Sequence, residues 1–156
     1  VLHDGTYPFM PCQNIRVDGL ESDSKYVFQY CKNVEIHNAK IDTKDSFWEV
    51  ENVTVYDSEL NGEYLGWHSK NLRLVNCHIS GEQPLCYAEN LTLENCTFDP
   101  ECDRAFEYST LQADIKGFIK SVKNPTSGRI VADSYGEIII NKNIKAPADC
   151  KIETRA

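Results

Sequence analysis

The sequence predicts an all-β fold, a single-stranded parallel β-helix (solenoid) with 19-residue coils and three strands per coil. An Asn followed by alternating apolar residues returns every 19 residues without slippage, at Asn14, Asn33, Asn52, Asn71 and Asn90. The apolar residues lie two positions apart, which is strand spacing rather than helix spacing. Coils stacked about 4.8 Å apart pair each short strand with its copies in the neighbouring coils.

The leading Asn of each coil is predicted to form a structural ladder at a turn rather than a ligand site. Asn tolerates the left-handed conformation, and its amide can bond turn backbone or the next amide in the stack. A second turn column contains Gly19, Asn38, Asp57, Asn76 and Asn95. Four inward columns are expected to fill a narrow core: Ile15, Val34, Val53, Leu72 and Leu91; Val17, Ile36, Val55, Leu74 and Leu93; Leu20, Ala39, Ser58, Cys77 and Cys96; and Ser22, Ile41, Leu60, Ile79 and Phe98.

One domain is expected over residues 1–156, with repeat coils at about 7–115 and irregular C-terminal coils and a cap at about 116–156. Further strands are predicted at 128–132 and 136–140, and the tail at 146–152 is expected to cover the C-terminal end, because open strand edges need covering. The N-terminal end shows no equivalent cap. The chain is therefore expected to be the C-terminal part of a longer β-helix, or to self-associate at its N-terminal coil.

Composition excludes several classes of partner. A net charge of −8 and a pI of about 5.0 argue against nucleic-acid binding and against attraction to anionic surfaces. No apolar run approaches the length of a membrane span, so no membrane partner is expected. The four His residues lie in different columns and no Cys/His spacing typical of zinc appears, so neither a metal nor a cofactor is predicted.

The seven cysteines favour a reducing, cytoplasmic location. Cys12 and Cys31 share one ladder position, and Cys77 and Cys96 share another. Stacking would bring each pair within disulfide reach, but buried free thiols are the favoured interpretation.

An aromatic half-coil precedes each Asn and supplies the candidate ligand-binding residues. Both tryptophans, Trp48 and Trp67, occupy one column on adjacent coils. Strand alternation would point them outward to form a flat strip able to stack on sugar rings, whereas a wider coil would make them core. The candidates for this aromatic strip are Trp48, Trp67, Tyr30, Tyr87, Glu49, His68 and Glu107.

Four phrases resemble a bacterial family of unknown function: Tyr64-Leu65-Gly66-Trp67, Gln83-Pro84-Leu85-Cys86-Tyr87, Ala105-Phe106-Glu107-Tyr108 and Ala132-Asp133-Ser134-Tyr135-Gly136. The family is classed with the pectin-lyase-like β-helices. The resemblance implies right-handed coils and longer relatives with more coils before this point. It implies no established activity and no catalytic residues.

Three functions are weighed on these residues. The strip favours carbohydrate binding. The first alternative is a non-catalytic scaffold or protein-interaction module, and the second is a carbohydrate-active enzyme of the lyase or hydrolase type.

The Asp-Asp, Gly-His-Gly and Asn-Thr-Asp motifs of such enzymes do not occur in the sequence. Glu49 and Glu107 would stand three coils, or about 14 Å, apart, too far for a two-carboxylate pair.

Overall fold

Parallel strand pairing every 19 residues organises the chain into a β-solenoid of about seven turns. The computed structural model describes residues 1–141 and 149–155, and within them it contains strands and turns but no helix. Ile15 pairs with Val34, and Val34 pairs with Val53, as the repeat requires. The predicted fold class is confirmed.

Fourteen strands are described. They are β1 (Gln13–Asp18), β2 (Glu21–Ser22), β3 (Lys32–His37), β4 (Lys40–Asp42), β5 (Glu51–Tyr56), β6 (Glu59–Asn61), β7 (Lys70–Val75), β8 (His78–Ser80), β9 (Leu91–Phe98), β10 (Thr110–Ile115), β11 (Phe118–Lys123), β12 (Ser127–Ala132), β13 (Ser134–Ile139) and β14 (Asp149–Thr154).

Two sides of each coil are sheet. The first side is the ladder β1-β3-β5-β7-β9-β10-β12-β14, and the second side is the ladder β2-β4-β6-β8-β9. Strand β9 is long enough to belong to both. Strands β11 and β13 form a separate parallel pair in the last coils.

The third side of each coil is a run of turns and not the predicted third strand. It comprises residues 26–30, 45–49, 64–68, 83–87 and 104–108. Every second residue there has a left-handed backbone; in the third coil these are Asp45, Phe47 and Glu49, with φ of 58°, 62° and 52°. In this alternating backbone the side-chain direction repeats every two residues, as it does in a β-strand. The two structures therefore produce the same pattern of apolar and polar residues in the sequence.

Inter-coil hydrogen bonds hold this third side together. The Asp45 N–H donates to the Glu63 carbonyl of the next coil (2.8 Å), the Phe47 N–H to Val27 of the preceding coil (3.0 Å), and the Glu49 N–H again to the next coil. The left-handed positions contain no Val, Ile or Thr. Branching at Cβ makes the left-handed conformation strongly unfavourable. The absence of β-branched residues from these positions could therefore have indicated, from the sequence, that this side is not a strand.

The predicted inward columns form the core. Residues of coils two to five in these columns are buried, whereas Ile15 and Val17 of the first coil are only partly buried. A further inward column contains the fully buried rings of Phe28 and Phe47. At Gly66 this column has no side chain, and an added Cβ would lie 2.9 Å from the Leu85 side chain. Leu85 therefore fills the space that a side chain at this position would need.

The leading Asn side chains form a continuous ladder along the coil corner. The amides of Asn33, Asn52, Asn71 and Asn90 each donate to the preceding Asn, at 3.1, 3.3, 2.9 and 2.7 Å. All five leading Asn residues have φ between 54° and 59°. The second turn column forms shorter ladders, with Asn76 donating to Asp57 (3.1 Å) and Asn95 to Asn76 (2.6 Å).

The regular period ends after β9. Paired residues lie 20 apart at Leu91 and Leu111, then 17 apart at Leu111 and Gly128, and 22 apart at Gly128 and Cys150. Residues 142–148, which include the start of the predicted covering tail, lie outside the described residues. Strand β14 pairs with β12, and Arg155 after it donates to the Ile115 carbonyl (3.1 Å) and to Asp133 (2.8 Å), tying the last strand to earlier coils.

All seven cysteines are free thiols, and several act as hydrogen-bond donors inside the coil. Cys77 Sγ donates to the Val75 carbonyl (3.4 Å) and Cys96 Sγ to the Glu94 carbonyl (3.5 Å). In the coil before Cys77, the Ser58 hydroxyl makes the equivalent bond to the Tyr56 carbonyl (2.8 Å). Burial raises the pKa of the Cys86 thiol to about 12. These thiols are therefore built into the core as small polar donors.

In the described ranges, 1–141 and 149–155, no helix is long and apolar enough to cross a membrane.

We predict that Asn71→Ala lowers the free energy of unfolding by about 1–3 kcal/mol. Ala in the left-handed conformation costs about 1–2 kcal/mol, and two side-chain hydrogen bonds of the ladder are lost as well. Urea denaturation monitored by circular dichroism measures the change. Asn71→Gly is the matched control because it keeps the backbone conformation and removes only the amide. Equal stability of wild type and both variants would show that the ladder carries no stability.

Candidate functional site

The column that contains both tryptophans ties adjacent coils together through side-chain donors. Trp48 Nε1 donates to the Tyr64 carbonyl (2.8 Å) and Trp67 Nε1 to the Gln83 carbonyl (2.8 Å). One coil earlier, Gln29 Nε2 donates to Asp45 in the same way (3.2 Å). These carbonyls belong to left-handed residues of the third side. The tryptophans are half-buried, with stacked rings 5.9 Å apart, so they lie neither fully outside nor in the core.

The neighbouring column carries the exposed rings. It contains Tyr30, Glu49, His68, Tyr87 and Tyr108, one residue per coil, and is called the outer strip below. Tyr30, Tyr87 and Tyr108 are 49%, 39% and 38% exposed. His68 stacks on Tyr87 (5.0 Å between centroids, 15°), and Tyr87 lies 5.5 Å from Tyr108. Three rings thus follow one another on adjacent coils.

Packing against the tryptophan column supports the outer strip from below. The Trp67 ring contacts Tyr87 edge-on at 5.3 Å and Tyr64 at 5.0 Å. Edge-to-face and stacked pairs at these distances are favourable aromatic geometries. Tyr87 of the outer strip is therefore packed against the tryptophan column.

Charged groups on this side are few and mostly engaged. The Glu49 carboxylate next to the Tyr30 hydroxyl raises the pKa of Tyr30. Burial, followed by the nearby Glu107 charge, raises the pKa of Tyr87. Glu107 lies in the tryptophan column and forms an ion pair with Lys123 at 3.0 Å, with both side chains largely covered.

The structure groups the sequence-derived candidates into two columns. Tyr30, Glu49, His68 and Tyr87 lie on the outer strip, and Trp48, Trp67 and Glu107 lie beneath it. Within the described residues no ion pair of 4.0 Å or less joins Glu49 to His68, and His68 stacks on Tyr87 instead.

Sequence reasoning left out two residues of this surface, Tyr108 and Asp45. Tyr108 follows the longer turn at 99–103, and its place directly after Glu107, already assigned to the sixth coil, was the signal that could have found it. Asp45 lies at the opposite corner of the third side, and its burial depends on the larger residues at the same position in the neighbouring coils.

A groove of about 620 Å³ lies on a different face, across β9, β10, β12 and β14. Its charged residues are paired with one another, as in Arg129 and Glu153 (2.6 Å) and in the contact between Arg155 and Asp114. No group of three or more His, Cys, Asp or Glu side chains in the described part of the chain is placed to hold a metal ion.

Parallel coils in fixed register, amide ladders at the corners and a stacked aromatic column define a repeat protein of the β-solenoid class. A family model described as "Protein of unknown function (DUF3737)" matches residues 1–153, and the chain belongs to this family. The expectation of a β-helical family of unknown function is thereby confirmed. No curated protein and no solved structure matches the chain.

We predict that Trp48→Phe lowers the free energy of unfolding by about 1–3 kcal/mol, because the half-buried Tyr64 carbonyl loses its donor while most of the ring packing remains. Thermal and urea denaturation measure the loss. Tyr108→Phe is the control, since the hydroxyl it removes is on an exposed ring and unfolding should stay unchanged. Equal stability of Trp48→Phe and Tyr108→Phe would refute the structural role of the indole N–H.

Proposed function

We propose that the protein binds an extended carbohydrate chain along the outer strip. The observation that carries this proposal is the run of exposed rings at Tyr30, His68, Tyr87 and Tyr108 in one column. Exposed aromatic surface held in a fixed array usually has a partner.

The spacing of the rings favours a linear polymer over a small ligand. Equivalent positions repeat at the coil spacing of about 4.8 Å, so contacts recur along one axis. The rings of Tyr30, Tyr87 and Tyr108 are exposed on this surface, which suits stacking of sugar faces. Binding would gain affinity by adding weak, equivalent contacts along the strip.

Charge favours a neutral or cationic chain over an acidic one. The net charge is −8, and the strip itself carries the Glu49 carboxylate. An acidic polysaccharide would meet repulsion from this surface, and Lys123, the cation near Tyr87, is already paired with Glu107.

The same geometry favours binding over hydrolysis at these residues. A glycosidase needs two carboxylates roughly 5–9.5 Å apart. Glu49 and Glu107 stand on the third and sixth coils, roughly 14 Å apart at the coil spacing. Glu107 is also held in its ion pair with Lys123.

We also propose, on the resemblance, that the solenoid belongs to the right-handed, pectin-lyase-like type and is bacterial. A reducing, cytoplasmic location is supported by seven free cysteines, several of which serve as buried donors.

We predict that Tyr87→Ala weakens binding of a neutral, linear glucan oligomer by about 3–10-fold. One stacked aromatic contact is worth about 0.5–1.5 kcal/mol, and each 1.4 kcal/mol is tenfold in affinity. Isothermal titration calorimetry measures the effect, and a Tyr87→Ala/Tyr108→Ala variant should lose more.

Tyr56→Ala is the matched control, because it removes a tyrosine from the first side and leaves the outer strip intact. Affinities unchanged by the Tyr87 and Tyr108 substitutions, or no glycan binding by the wild type on a glycan array, would overturn the proposed function.

A further inference from the structure

A notch interrupts the aromatic column at the opposite corner of the third side. Tyr7, Tyr26, Asp45 and Tyr64 occupy equivalent positions on successive coils. Tyr26, Asp45 and Tyr64 share nearly the same φ, 60°, 58° and 60°, so their side chains leave the backbone in the same direction. Tyr7 and Tyr26 stack at 4.8 Å. The short Asp45 side chain leaves Tyr26 and Tyr64 two coils apart, roughly 10 Å at the coil spacing.

Asp45 forms the floor of this notch, and its carboxylate is unsatisfied. The residue is only 8% exposed. Its Oδ1 atom is buried without a hydrogen-bond partner, and no described group donates to either carboxylate oxygen. A buried carboxylate without a donor is costly to maintain, and the energetic deficit is removed by a partner that brings donors and positive charge.

One cation lies near the notch, but it is not ion-paired with Asp45 in the described residues. Lys44 and Glu63 are the charged neighbours of Asp45. The Lys44 ammonium lies 5.8 Å from the centre of the Tyr26 ring, yet it makes no ion pair of 4.0 Å or less with Asp45 among the described contacts. Two carboxylates and one ammonium give the site a net negative charge.

We infer that the notch of Tyr26, Asp45 and Tyr64 binds a primary ammonium group of the carbohydrate, so that the preferred ligand is a chain of amino sugars. An ammonium has three donors for the Asp45 carboxylate and is attracted by the faces of flanking aromatic rings. The Lys44 ammonium already lies over the Tyr26 ring, which is the arrangement expected for an ammonium at the rim. This inference rests on the proposed function.

The notch and the outer strip belong to one continuous surface. Trp67 contacts Tyr64 on one side (5.0 Å) and Tyr87 on the other (5.3 Å). A sugar chain that follows the outer strip to Tyr87 and then crosses Trp67 would reach Tyr64 at the notch. The strip supplies ring contacts that any sugar can use, whereas Asp45 discriminates by charge.

The test compares a linear glucosamine oligomer with its N-acetylated counterpart of equal length, by calorimetry at physiological salt. The pH is set below the pKa of the sugar amine and above the pKa of Asp45, which burial raises. The wild type should bind the amino form about tenfold tighter, as expected for a hydrogen bond to a charged group. Asp45→Asn should abolish that preference while leaving binding of the acetylated form unchanged.

Glu59→Gln is the matched control, since it removes one exposed negative charge on the second side and should retain the preference. Lys44→Ala should tighten binding of the amino form roughly 2–3-fold by removing a competing exposed cation. A preference that survives Asp45→Asn, or that Glu59→Gln reduces equally, overturns the inference.

Equal wild-type affinity for the two oligomers also overturns it and leaves the proposed carbohydrate binding standing. Absence of binding to either oligomer and to the neutral glucan removes the proposed function together with the inference.

Discussion

Every feature of this protein depends on one constraint: residues at the same position of successive coils must adopt the same backbone conformation. Parallel pairing every 19 residues imposes it, because each strand uses its copy in the next coil as its hydrogen-bond partner. Where this holds, left-handed residues stack on left-handed residues; Pro11 beside Tyr30, Thr43 beside Gly62 and Thr110 beside Asn90 depart from it. The five leading Asn residues meet this requirement at the corner, where their amides also bond one another.

The same constraint determines the chemistry of the third side. Alternate left-handed residues send their N–H groups to the coils on both sides and leave carbonyls that strand pairing does not use. The side chains of Gln29, Trp48 and Trp67 provide hydrogen-bond donors for these carbonyls. Each donates to the carbonyl of the residue 16 positions ahead. The tryptophans are thus structural donors first, and the exposed rings that they support lie one column away.

Function, on this view, follows from substitutions within columns that the fold tolerates. A corner position accepts any residue that can adopt the left-handed conformation, so it can hold Tyr30, Glu49, His68 or Tyr87 without disturbing the stack. Where Asp45 replaces a tyrosine, the column acquires a charged notch instead of another ring. The solenoid supplies the spacing, and the side chains at the corners supply the contacts on which the proposed recognition depends.

The sequence by itself determined the solenoid, its period and its inward columns, because register along the chain is fixed by repetition and needs no knowledge of distant contacts. Leu72, Leu74 and Ile79 could be placed in the core from spacing alone. Only the tertiary structure decided the conformation of the third side, since alternating dihedrals and a strand share a period of two. It also decided the burial of Asp45 and the half-burial of Trp48, because accessibility depends on the size of neighbours in the coils above and below.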